Sequence, residues 1–446
     1  MASYVPHTDE EIASMLADLG LSSVEDLFAT VPEALRLAAG DLQLPPGLPE
    51  ADVASEMARL AGPNRVGAEL VCFAGGGAYD HDVPAVTRAL ASRSEFVTSY
   101  TPYQPEVAQG VLQALFEYQT LVARLAGLPV ANASVYDGAW ALAEAVNLAT
   151  TATGRRSVFV SGGLNPRWRQ VLATLTSGRE TELVDVPLEG GVTAWHKAPT
   201  PGGTLPAALV VASPNYLGCI DPLAPAKRAA DEVGALLVSI FDPVSAGLLR
   251  TPGEQGANIA VAEGQPLGTP LAFGGPYLGM MAVSREHVRR LPGRLVGRTV
   301  DNIGRTAYVT TLRAREQDIR RERASSNICT NQTLVAIAAM VQLAWLGPWG
   351  LRQLALRCAR GARYLRDGLL TLAGVEPLVD APVVREFALS LPVAPEVVVE
   401  RMADEGFLAG LPVEAGGREG LLIAVTEKRT KAEMDAYLAA MEKVTS

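Results

Sequence analysis

Only five of the chain's 38 basic residues are lysines: Lys197, Lys227, Lys428, Lys431 and Lys443. The others are arginines, whose guanidinium keeps its proton and cannot form an imine. Chemistry through a Schiff base therefore has five candidates. The four histidines (His7, His81, His196, His287) are scattered, and no HExxH or GxSxG motif occurs. That argues against a zinc protease and an α/β-hydrolase. Four cysteines lie far apart with no CxxC pair, as in a reducing compartment, and no metal site is expected. Gly75-Gly76-Gly77 fits neither GxGxxG nor the P-loop spacing and reads as a turn. Asp242 follows the strand-like Ala235–Phe241, where open α/β sheets place ligand-binding groups. It could pair with a protonated cofactor ring nitrogen, or start an Asp-Pro turn with Pro243. Both readings stay open.

Two polar patches stand out. Tyr100, Thr101, Tyr103, Gln104 and Glu106 crowd a turn ahead of a long helix, and a core needs no such density of polar groups. Asn327, Thr330 and Asn331 precede the apolar helix at Leu334. Each patch could be a substrate wall, or helix capping and interface packing. Residues 313–323 carry five arginines among three acids, with Glu316 and Arg320 spaced for an i,i+4 pair on a solvated or interface helix.

The elements that must position these residues alternate. Thr8 and Glu11 are spaced as a capping box, and residues 1–60 read as a helical arm. So short an arm must wrap another domain or subunit. A helix is expected from Pro105 to Gly127, with apolar positions at Val111, Leu115, Tyr118, Val122 and Leu125. Strand-like runs near 157–160, 182–186, 207–212, 235–241, 259–262 and 278–284 alternate with helices, which predicts βαβ units on a mostly parallel sheet. Helices at 314–345, 350–373, 395–405 and 431–443 with strands at 386–391 and 421–425 predict a smaller α+β domain. The expected organisation is arm 1–60, large α/β domain 61–312 and small domain 313–446.

Composition agrees. With 48% apolar and 19% charged residues and a mean hydropathy of +0.17, the chain has ample core and is not disordered. A net charge of −10 argues against a nucleic-acid partner. The apolar stretch Leu334–Gly347 spans only about 21 Å as helix, short of the ~30 Å hydrocarbon core, so no membrane span is expected. Met1–Glu11 resembles neither a signal nor a transit peptide, and a cytoplasmic location is expected.

The run from Arg93 to Gly110, containing Thr98-Ser99-Tyr100-Thr101-Pro102-Tyr103-Gln104-Pro105-Glu106, resembles the signature of glycine decarboxylase, the P-protein of the glycine cleavage system. Asn132-Ala133-Ser134 with Asp137, Phe273-Gly274-Gly275-Pro276-Tyr277, and Arg320 to Gln332 agree with it. Length matches the family's subunit 1, a separate chain where the enzyme is split. The resemblance implies a fold type I pyridoxal-phosphate (PLP) transferase-like architecture. It also implies decarboxylation of glycine with transfer of the aminomethyl group to the lipoyl arm of H-protein. The family's catalytic half carries a His-Lys pair ahead of its glycine-rich loop, and here Gly264-Gln265 stands at that place. Gln265 cannot form an imine. The resemblance thus implies that this chain binds no PLP covalently, that Asp242 is a relic or a structural residue, and that PLP sits in a homologous lysine-bearing subunit 2. Two copies of each chain are the natural assembly. The patches Tyr100, Thr101, Tyr103, Gln104, Glu106 and Asn327, Thr330, Asn331 are then interface candidates reaching the partner's site. Two other functions stay open: a stand-alone PLP decarboxylase or aminotransferase using an unexpected lysine, and a pure scaffold.

Overall fold

The computed structural model describes residues 6–446 except 38–42, 66–68, 100, 200–204, 273 and 325. The chain divides into two compact units, 1–65 and 66–446.

In the first unit, Thr8 caps helix α1 (Asp9–Asp18) through the expected capping box with Glu11. A short turn at Val24–Phe28 is capped the same way by Ser23 and Asp26, and α2 covers Glu50–Ala61. These helices contain no buried residue, and Leu19, Phe28, Val53 and Leu60 are exposed.

The second unit is built on a seven-stranded sheet. In chain order its strands are β1 (Val130–Ala131), β2 (Ser157–Ser161), β3 (Glu182–Val186), β4 (Ala208–Ser213), β5 (Leu236–Phe241), β6 (Ile259–Glu263) and β7 (Gly279–Val283). Their spatial order is β1-β7-β6-β5-β4-β2-β3, and only β7 runs antiparallel to its neighbours. Strand β4 shows why a continuous apolar run was needed. Ala208, Val210 and Ala212 face one core, while Leu209 and Val211 face the other.

Helices cover both faces. Helix α3 (Gln109–Ala126) buries Val111, Leu115, Tyr118 and Val122 as expected, and Gly127 ends it with a φ of +67°. It starts four residues later than Pro105, because 101–108 form consecutive turns rather than a first helical turn. Helix α4 (Gly138–Thr153) is buried almost all round, and its cap Asp137 accepts from the Trp140 amide. Helices α5 (Pro166–Thr176) and α6 (Leu223–Val233) complete the layers.

A hairpin of β8 (Val296–Val300) and β9 (Thr306–Thr310) follows, which the sequence pattern does not announce. Two glutamines of α3 hold its backbone by imitating a peptide group. Gln119 accepts from the Val296 amide (2.8 Å) and donates to its carbonyl (3.0 Å). Gln109 does the same with Tyr308, at 2.9 Å each way.

The arginine-rich segment is not the expected helix. It breaks into short turns around Leu312 and Arg321, both at positive φ. Glu316 turns inward and is buried instead of pairing along a surface with Arg320, whose Nε donates to the Ala314 carbonyl. The two expected long helices follow one another as α7 (Thr333–Leu369), two helical halves parted by a kink where Gly347 is non-helical ahead of Pro348. This helix is long and apolar enough, by composition, to cross a membrane. Its first half instead packs Ala336–Leu343 against the sheet's core, and its second half packs Ala362, Leu365 and Leu369 into the small domain. The small sheet orders β10 (Glu376–Pro377), β11 (Glu386–Ser390), β13 (Arg418–Ala424) and β12 (Leu411–Ala415), backed by α8 (Pro395–Asp404) and α9 (Lys431–Thr445).

Candidate functional site

Strands β2, β4, β5 and β6 run parallel, so the loops after their carboxyl ends converge. They deliver Asn165, Tyr216, Asp242 and Glu263 to one cavity of about 90 Å³, closed on the far side by Tyr79, Arg385 and Glu386. That volume is well below the ~300 Å³ at the lower end of ligand pockets. The cavity is filled with charge that is already spoken for.

Asp242 does start a turn, accepting from the Val244 and Ser245 amides (3.2 Å each). It is also ion-paired to Arg385 at 2.8 Å. The Arg385 guanidinium lies 3.6 Å over the Tyr79 ring. It also meets His81 Nε2 at 2.5 Å, and His81 Nδ1 meets Glu427 at 2.5 Å. Burial pushes the Glu427 carboxyl up, but the His81 hydrogen bond and charge with the Asp82 amide bring it to about 2. His81, Cys358 and Glu427 cluster closely enough for a cation. However, both ring nitrogens are taken and the neighbouring guanidinium opposes positive charge, so no metal centre is assigned.

Gln265 is fully buried two residues past the end of β6. Its amide accepts from the Tyr79 backbone N–H (2.9 Å) and donates to the Tyr79 and Thr269 carbonyls (3.0 and 2.9 Å). Glu263 accepts from the amides of Gly138, Gln265 and Leu278. Glu386 accepts from Gly76 N–H (2.6 Å) and the Tyr79 hydroxyl (2.9 Å). The triple glycine is needed here, since a Cβ on Gly75 would meet Glu386 Oε1 at 2.2 Å.

The two polar patches meet elsewhere, through a residue the sequence reading did not single out. Tyr103 is held between Arg294 (4.8 Å) and Arg313 (4.7 Å). Arg294, only 3% exposed, donates to Asn331 (3.2 Å), which donates to the Ala133 carbonyl (3.0 Å). The Tyr103 hydroxyl reaches Glu316 and Arg294 only at 3.4 and 3.5 Å. Among the described residues, the buried Arg294 Nε and Glu316 Oε1 have no hydrogen-bond partner. Thr101 is half-buried, and Gln104, Glu106, Asn327 and Thr330 are exposed. Tyr100, with Phe273 and Ser325 of the resembling stretches, lies outside the described residues.

All five lysines are committed to carboxylates: Lys197 to Glu189, Lys227 to Asp231, Lys428 to Asp80, Lys431 to Asp435 and Lys443 to Glu405. None of them lines the cavity.

Residues 2–441 match the family model described as glycine cleavage system P-protein. The chain belongs to that family. A probable glycine dehydrogenase (decarboxylating) subunit 1 from Moorella thermoacetica is 46% identical, over 99% of both chains. A crystal structure of glycine decarboxylase (P-protein) in inhibitor-bound form superposes with a TM-score of 0.91 at 47% identity, covering 99% of this chain and 100% of that one. The glutamate decarboxylase of Lactobacillus brevis, at 14% identity, a TM-score of 0.67 and coverage of 94% and 97%, shares the fold alone. The architecture is that of fold type I PLP-dependent enzymes. The residues of this P-protein chain do not fit that cofactor. Gln265, at the place where the resemblance puts the family's lysine, has both its amide oxygen and its amide nitrogen engaged, and Asp242 is paired with Arg385.

Burial holds the carboxyls of Glu263 and Glu386 up to about 7, against ~4.3 in an unfolded chain. Protonated, they favour the fold fully below about pH 4.5, and that contribution is lost as pH rises through about 7. A shift of this size corresponds to roughly 3–4 kcal/mol per group. Glu386→Gln keeps an acceptor for Gly76 and a donor for the Tyr79 hydroxyl. We expect its melting temperature to exceed the parent's at pH 8 and to vary less between pH 5 and 8. An unchanged pH slope would refute the assignment.

Proposed function

We propose that this P-protein chain is the PLP-free subunit 1 of a split glycine dehydrogenase (decarboxylating). With a homologous lysine-bearing subunit 2 it decarboxylates glycine and passes the aminomethyl group to the lipoyl arm of H-protein. The observation that carries this is Gln265, an amide in the lysine's place with every polar atom engaged. The commitment of all five lysines to surface carboxylates speaks against a stand-alone PLP enzyme. The exposed apolar residues of the first unit, Phe28 and Leu60 among them, supply surface for a partner. Two copies of each chain, in the cytoplasm, complete the proposal. The Tyr103–Arg294–Asn331 cluster is the part of this chain that we place at the shared site, with Arg294 Nε, unpartnered among the described residues, as the group left for a neighbour.

The test is co-expression with the lysine-bearing subunit. A stable hetero-oligomer should form that exchanges the glycine carboxyl with bicarbonate when H-protein is present. Borohydride reduction of that complex followed by peptide mapping should place the pyridoxyl group on the other subunit. A stoichiometric adduct on any of this chain's five lysines would overturn the proposal, as would full activity of the other subunit alone.

A further inference from the structure

The space that a fold type I enzyme gives to its cofactor is crossed here by side chains from four distant parts of the sequence. Three of those parts grip residues 79–82. From the large domain, Gln265 takes both the N–H and the carbonyl of Tyr79. From the start of β11, Arg385 stacks on Tyr79 and bonds His81, while Glu386 holds the Tyr79 hydroxyl. From the end of β13, Glu427 accepts from His81 and from the Asp82 amide (2.8 Å), and the Thr426 hydroxyl donates to the Asp80 carbonyl (2.8 Å). Lys428 and Arg429 pair with the Asp80 carboxylate at 2.7 and 3.2 Å. The fourth part, Asp242 at the end of β5, closes the chain on Arg385.

We infer that the abandoned cofactor cavity has become a lock: segment 79–82 is a bolt shared by the large and small domains, and the row Glu427–His81–Arg385–Asp242 keeps it shut. Charges and donors alternate along that row, so each member answers the next, and the groups at its centre are buried. The guanidinium takes the place of a cofactor ring nitrogen opposite Asp242, which explains why the aspartate persists without a cofactor. A small domain tied at Arg385, Glu386 and Glu427 does not swing away from the sheet. The chain then presents its neighbour with one fixed arrangement. The inference rests on the reading of this chain as the PLP-free subunit, while its test reads only this chain's own amides and so can fail separately from that reading.

Removing both charges together, as Asp242→Asn with Arg385→Met, avoids leaving either one buried alone. Hydrogen exchange followed by mass spectrometry on the full chain should show the amides of 76–82 exchanging at least about tenfold faster, while those of β4 keep their parent rates. Unchanged rates in 76–82 would overturn the lock, and so would an equal acceleration throughout the chain. Should the double variant fail to fold, Arg385→Lys keeps the charge and loses the flat fork. It should accelerate the same amides selectively, and parent rates there would overturn the lock equally.

Discussion

Replacing Tyr103 by alanine is expected to abolish most glycine–bicarbonate exchange in the assembled enzyme, while Tyr103→Phe loses far less. The ring, not the hydroxyl, does the holding. Two guanidinium groups lie against it at 4.7 and 4.8 Å, whereas the hydroxyl makes only long contacts to Glu316 and Arg294. Each cation–π contact contributes about 0.5–2 kcal/mol, and phenylalanine keeps both. Alanine frees Arg294 and Arg313 to repel each other beside a buried Glu316, whose carboxyl is already held up by burial and by Asp318. Asn331 then loses a fixed donor in Arg294. Loss of two such contacts predicts a fall of roughly fivefold to several-hundredfold, since every ~1.4 kcal/mol is tenfold. The measurement is exchange activity with subunit 2 and H-protein, after gel filtration shows the complex intact. An intact Tyr103→Ala complex with parent activity would leave this chain a scaffold. A Tyr103→Phe complex as damaged as Tyr103→Ala would show that the hydroxyl, contrary to the geometry, reaches the reacting groups.

What could be read from the residues follows how local the physics is. The parallel strands were legible because a strand covered on both faces must be apolar throughout, as Ala208–Ser213 is. Helix α3 was legible because Val111, Leu115, Tyr118 and Val122 repeat at helical spacing. Gln265 stood out through the resemblance, by being the wrong residue for an imine. The hairpin β8–β9 was not legible, because glutamine side chains 177 and 199 residues away hold its backbone. Nor was Arg385. Its partner Asp242 is 143 residues distant, and one arginine among dozens gives no signal by type. The available hint was two adjacent charges, Arg385-Glu386, heading the apolar strand Phe387-Ala388-Leu389. Buried charges at a strand start ask for partners, and only the fold can say where those partners are.

A lysine placed at position 265 is not expected to bring back a cofactor. In Gln265→Lys an ammonium would enter a fully buried position facing the carbonyls of Tyr79 and Thr269, which it could satisfy as a donor. It offers no acceptor, so the Tyr79 N–H now bonded to Gln265 Oε1 would be left without a partner. A buried N–H without a partner costs about 1–3 kcal/mol, before the cost of burying the new charge. Glu263 is too well supplied by three backbone amides to move toward the lysine without losing them. Asp242 would still be engaged by Arg385, and the small cavity would remain crossed by the Tyr79 ring. The variant should therefore melt well below the parent, and borohydride in the presence of PLP should leave no stoichiometric pyridoxyl group at position 265. Adding Arg385→Met to Gln265→Lys frees Asp242 and removes the cation stacked on Tyr79, so any PLP labelling at 265 should rise in that double variant relative to the single one. A single Gln265→Lys chain that took up PLP stoichiometrically at parent stability would mean that the site lacked only its lysine, and that the contacts around Tyr79 yield readily to a cofactor.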